Sequence, residues 1–267
     1  MLIQTEGDTL VIVRQTDHMA QVARIAEQWG NTSFPPPEHL EETVRAAGLH
    51  DNGWRDWEEH PTLIPTTQRP RNLSEIEPPV HAAFYGAGVE RAVAIDPYTG
   101  LLVSLHAAVL YAGVEGWDPQ TLVPPLRPEA PTVERTFIEE QITLQRQLRT
   151  QLAQTSHYAA AVEPARLWPA YLRLRTWDRL SLFFVYFGMR DQVLDHVPAS
   201  DGETTIAVRN IGERTATVDP WPFQEDEATF PVLAVRVPDR PYSSGDEFLQ
   251  VLATATPELQ QFIVRRA

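Results

Sequence analysis

The chain has 267 residues, 43% hydrophobic and 22% charged, which suits one large globular domain whose core needs no disulfide. It contains no cysteine, and all 22 Lys+Arg residues are arginine, so thiolate nucleophiles, cysteine-held clusters, a lysine Schiff base and a phosphate-loop lysine are excluded. A formal net charge of −14 argues against nucleic acid or an anionic membrane as partner and leaves small molecules as the default.

In chain order, the first eight residues lack a basic region followed by an apolar run, so no signal peptide is expected. Residues 9–15 read as a short strand, with Val11 and Val13 on one face and Ile12 on the other. A helix capped by Thr16 or Asp17 follows, its stripe formed by His18, Val22, Ile25, Ala26 and Trp29. The prolines at 35–37 are expected to open a second helix with Leu40, Val44, Ala47 and His50 inward, closed by Asn52-Gly53. Residues 61–79 carry five prolines and read as loop, before a short helix over 80–93.

Asp96-Pro97 is an N-cap and first-turn pair for a helix through Leu101, Leu105, His106 and Val109. A proline-rich connection at 119–131 leads to a long amphipathic helix over 132–156. Another helix, after Glu163-Pro164, puts Tyr171, Leu174, Asp178, Leu182 and Val185 on one stripe. Its greasiest part, 180–188, is too short to span a bilayer, and a cytoplasmic location is the simplest expectation. Beyond about residue 197, β-branched segments at 204–209, 215–218 and 230–237 predict strands, with a hairpin connection at 209–212 and a last helix over 246–253. The expected fold is therefore mainly α: a helical core over 1–198 and a small antiparallel β appendage over 199–267. The strand at 9–15 would join the appendage and make one integrated domain.

Three inward stripes carry metal-type donors: His18, then His50-Asp51, then Asp178. His106 adds a fourth. Each histidine alone reads more readily as a hydrogen-bonded core residue than as a ligand. Asp178 has two possible partners, Arg175 or Arg179 in a salt bridge, or a metal ion. Taken together, two imidazoles and two carboxylates form an N/O donor set of formal charge −2. Such a set suits a divalent transition metal (Mn, Fe, Ni or Zn), which lowers the pKa of a bound water.

The order His … His-Asp … Asp resembles the HD superfamily of metal-dependent phosphohydrolases. The matching residues are Asp17-His18, His50-Asp51 and Asp178-Arg179-Leu180-Ser181. More narrowly, the chain resembles an uncharacterised HD-like family, domain of unknown function 3891. The shared strings are Gln15-Thr16-Asp17-His18, Trp29-Gly30, His50-Asp51-Asn52-Gly53-Trp54, Ser104-Leu105-His106 and Pro220-Trp221-Pro222-Phe223. The resemblance implies an HD-like helical bundle with His18, His50, Asp51 and Asp178 as metal ligands. His106, ahead of His81, is the candidate for a further histidine, and one or two ions are open. It further implies a hydrolase of a small phosphorylated molecule, with Asp51 holding metal and water. A two-iron oxygenase of the HD type and a non-catalytic scaffold are the alternatives.

Arg55 and Arg179 could bind an anionic group, since guanidinium matches phosphate. Arg179 serves equally as a partner for Asp178. Trp54 and Trp57 would wall a substrate pocket or fill core, and Tyr85, Tyr98 and Tyr111 read as core. His39, His60, His157 and His196 have solvent or loop contexts and receive no role.

Overall fold

The computed structural model describes residues 1–113, 117, 118, 120, 122 and 131–267. The predicted connection at 119–131 lies almost wholly outside them. Two strands, β1 (Leu2–Glu6) and β2 (Thr9–Val13), precede α1 (Gln15–Gln28), α2 (Leu40–Ala47), α3 (Trp54–Glu59), α4 (Pro78–Ile95) and α5 (Pro97–Ala112). Then come the long helices α6 (Thr132–Leu152) and α7 (Pro164–Val185). The chain continues through β3 (Gln192–Ala199), β4 (Gly202–Gly212), β5 (Thr215–Asp219), β6 (Glu227–Pro238), α8 (Gly245–Thr254) and β7 (Pro257–Arg266).

The seven strands form one curled sheet in the order β1-β2-β6-β7-β5-β4-β3. This overturns the mainly α expectation with its small C-terminal sheet. The sheet is a full layer, and both ends of the chain build it. Neighbours run antiparallel except β5 and β7, which are parallel. Burial alternates along β6, where Ala228, Phe230, Val232 and Ala234 point inward. That alternation is what one covered face produces.

Helices α1 and α7 pack on each other and on the strands β6 and β3. Phe184 of α7 stacks on Phe262 of β7 at 4.9 Å, and Phe223, just before β6, meets Phe230 at 5.3 Å. Most side chains of α5 are buried, from Tyr98 to Val109, so it is the central helix of the second layer. Its start is capped as expected, with Asp96 accepting the Thr99 amide at 2.7 Å.

Other boundaries move. Helix α1 starts at Gln15 behind Arg14, with no side-chain cap. Helix α2 begins after the triple proline and ends at Ala47, with Thr43, Ala46 and Ala47 buried and Leu40 exposed. His50 and Asp51 therefore sit on the turn behind α2. Among the described residues no helix is long and apolar enough to cross a membrane.

Candidate metal centre

Five of the predicted side chains converge. His18 comes from α1, His50 and Asp51 from the turn after α2, His106 from α5 and Asp178 from α7. All five are buried, Asp51 and Asp178 being the most open at 6% and 7%. His18 Nε2 lies 3.0 Å from Asp178 Oδ1. His50 Nε2 lies 3.5 Å from both Asp178 Oδ1 and Asp51 Oδ2. His106 Nε2 lies 3.6 Å from Asp51 Oδ1.

The protons on two of these rings can be placed by elimination. Gln21 Nε2 donates to the Phe230 carbonyl of β6 at 3.0 Å, which fixes the amide. Gln21 Oε1 then accepts the Ser181 hydroxyl proton at 2.6 Å. With that proton committed, Ser181 Oγ accepts from His18 Nδ1–H at 2.8 Å. His50 Nδ1 lies 2.8 Å from the Ala47 carbonyl, which only accepts, so this nitrogen also carries a proton. In the neutral rings both Nε2 atoms present lone pairs to carboxylate oxygens. That arrangement is repulsive unless cations occupy the space, either two protons or one metal ion.

His50 Nε2 makes the point most sharply. It is buried, has no hydrogen-bond partner, and stands between two carboxylates. Buried nitrogens normally find a partner. This donor set fits a divalent ion: neutral imidazoles and two carboxylates give −2, which the ion offsets. Without the ion, burial disfavours the His50 imidazolium, but Asp51 and Asp178 raise its pKa to about 9. Burial likewise opposes the Asp178 carboxylate, yet the hydrogen bond from His18 and the nearby charge of His50 hold it well below the usual range. Asp51 is also held low, by His50 and His106 against burial.

The salt-bridge alternative for Asp178 is not formed. Arg175 and Arg179 both go to Asp195, at 2.8 and 2.5 Å. Arg55 is on the surface beside Glu59, away from the cluster. Trp54 is fully buried, and its Nε1 donates to Tyr85 Oη at 3.1 Å. His81 donates or accepts at Tyr111 Oη (2.5 Å) and lies tilted against the Tyr85 ring, centroids 4.5 Å apart. Burial lowers its pKa to about 4, with the Asp51 charge opposing.

Four contributors were not singled out from sequence. Tyr85 donates its phenol proton to Asp51 Oδ1. Arg91 grips the turn, with Nε on Asn52 Oδ1 at 3.0 Å and Nη2 on the Asn52 carbonyl at 2.9 Å. Ser181 and Gln21 orient His18, and each lies three residues beyond a candidate ligand on its own helix. That i, i+3 spacing was available as a signal. Ser181→Ala should leave the fold intact and weaken metal binding about 10- to 100-fold. Chelator competition measures this, and unchanged affinity would remove the orienting role.

A sequence profile described as "Protein of unknown function (DUF3891)" matches residues 1–239. The chain belongs to this family. No curated protein and no solved structure matches it. All five converging residues of this DUF3891 member fall inside the matched span. The family description itself names no chemistry, so the side chains have to supply it.

Proposed function

We infer that the centre binds one divalent transition-metal ion and hydrolyses a small phosphorylated molecule. The observation behind this reading is His50 Nε2, an unpartnered buried nitrogen between two carboxylates. His50 would hold the ion, with His18 and Asp178 on one side of it and Asp51 and His106 on the other. When bound, it supplies a Lewis acid and a water acidic enough to ionise near neutral pH.

The residues around it divide the remaining work. Tyr85 holds Asp51 through Oδ1, which leaves Oδ2 facing the centre to hold the ion and orient its water. Arg175 and Arg179 share the single carboxylate of Asp195, so one positive charge is left over beside Asp178. Arg179 would use it to draw and neutralise a phosphoryl group. Asp51 and Asp178 are only 6% and 7% exposed, which suits the end of a small molecule better than a polymer. The HD resemblance supplies the reaction class by analogy.

The arrangement favours one ion over the two an HD-type oxygenase needs. His50 Nδ1 is committed to Ala47, so this ring offers one nitrogen, which serves one ion. His81 has Nδ1 engaged by Tyr111. The test is phosphate release by protein loaded with Mn²⁺, Fe²⁺, Ni²⁺ or Zn²⁺, across phosphomonoesters and nucleotides. Turnover that needs metal and disappears in Asp178→Asn is expected. A loaded centre that releases no phosphate from any substrate would end the hydrolase reading, and oxygen uptake by the iron form would replace it.

A further inference from the structure

A second set of donors converges at the beginning of α2, away from the centre. His39 immediately precedes the helix, and Glu42 lies three residues on, in its first turn. His157 comes from the segment between α6 and α7. One ligand atom from each of the three lies within 4.8 Å of the other two.

His39 looks like a solvent-facing residue in the sequence but is 8% exposed. Its ring is wedged among Tyr98, Tyr158 and His157, with centroids 5.2, 5.0 and 4.8 Å away. Its Nε2 is buried and has no hydrogen-bond partner. Glu42 Oε1 accepts the Tyr158 hydroxyl at 3.1 Å, which holds the carboxylate in place. His157 Nε2 stands 3.7 Å from the same oxygen, too far for a hydrogen bond. These groups face one another without satisfying one another.

The spacing has a simple chemical reading. Two donors each about 2.1 Å from one ion stand roughly 3–3.5 Å apart. A gap of 3.7 Å closes to that with a small rotation of the exposed His157. Two imidazoles and one carboxylate suit Zn²⁺, Co²⁺ or Ni²⁺, with water in the fourth position. Glu42 brings the negative charge, and Asp96 adds a second carboxylate 3.3 Å from the Tyr158 hydroxyl.

We propose that His39, Glu42 and His157 form a second divalent-metal site, separate from the buried centre. Its ion ties the segment before α7 to the start of α2. Those two segments lead to Asp178 and to His50-Asp51, so the site braces the scaffold of the centre. The proposal does not rest on what the centre catalyses.

Zn²⁺ alone is the probe, followed by calorimetric titration and by metal analysis after desalting. Wild type is expected to hold about two equivalents and His157→Ala about one. The His157 side chain is 65% exposed, so its removal leaves the fold alone. In a His50→Ala background, the remaining zinc and the zinc-dependent rise in Tm should both vanish on adding His157→Ala. Glu42→Gln should weaken this zinc at least tenfold. Should His50→Ala not fold, the fall from two equivalents to one in His157→Ala still decides. Zinc content and Tm response untouched by His157→Ala would overturn the proposal.

Discussion

Replacing His50 by alanine should empty the buried centre, taking its metal from about one equivalent per chain to none. Its imidazole stands between Asp51 and Asp178, so its loss leaves two carboxylates facing each other with less compensation. In metal-free protein that should cost about 3–5 kcal/mol of stability. A pH signature separates this from ordinary cavity formation. His50 has a folded pKa of about 9, above the roughly 6.5 of an unfolded histidine. A raised folded value means its stabilisation is complete below about 6.5 and fades as pH rises through about 9. The amount is on the order of 3 kcal/mol. Asp51 and Asp178 work in the opposite direction, because their carboxyls are depressed in the fold. Their contribution is present above about pH 4 and fails on acidification below it. The combined contribution of these three groups should thus be largest between about pH 4 and 6.5. Bound metal should flatten the alkaline decline, since Nε2 then has no proton to lose. Urea midpoints from pH 4 to 10, with chelator and with metal, measure this. An alkaline limb that is flat without metal, or metal retained when His50→Ala is combined with His157→Ala, would show the ring to be structural.

Gly53→Ala is expected to be nearly as damaging, for a steric reason. Gly53 has an ordinary helical φ of −62°, so no special conformation is needed. A Cβ there, however, would sit 2.1 Å from the Phe84 carbonyl oxygen and 2.6 Å from its carbon, both backbone of α4. From the other side, a Cβ on Gly88 would come within 2.7 Å of the Gly53 nitrogen. The two glycines let the turn lie directly on α4, where Asn52 Nδ2 donates to the Gly88 carbonyl at 2.9 Å. Pushing the turn away draws Asp51 off Tyr85. A loss of about 3 kcal/mol and of the bound metal should follow. Gly86→Ala is the control on the same helix, because its Cβ would meet only Phe137 at 4.0 Å. It should be neutral or stabilising by up to about 1 kcal/mol. Thermal melts and metal analysis of the two variants compare them directly. Equal Tm values would show that the close approach is not needed.

The helices were legible because their buried positions recur at helical spacing, as with His18, Val22, Ile25 and Ala26 of α1. The strands at the sheet's margins of legibility fail for particular reasons. In β3 a bulge between Leu194 and Val197 breaks the alternation and leaves two buried residues three apart, a helix-like spacing. In β7 the buried positions are Gln260, Phe262 and Val264, and glutamine gives no apolar signal. Strand β1 buries only Leu2 fully and reads as a polar leader. At the centre, His-Asp and the distant Asp178 were visible as donors on inward stripes. Tyr85 and Arg91 were not, since only the fold brings α4 against the turn. His39 was misread because it precedes a helix beside prolines, and its burial comes from Tyr98 and Tyr158, far along the chain.

The position of β7 also imposes an order of events. This strand lies between β6 and β5, with β1-β2-β6 on one side and β5-β4-β3 on the other. On a ribosome, both half-sheets would emerge with open edges before the segment that joins them is available. Each edge is a row of unpaired amides and carbonyls, ready to pair with another chain. Nascent or truncated protein should therefore be the aggregation-prone species, and chaperone demand should peak before residues 257–266 are released. The candidate metal ligands, all upstream by Asp178, could gather earlier than the sheet that carries the Phe230 carbonyl behind Gln21 and Ser181. Orientation of His18 would then be among the last things the molecule acquires.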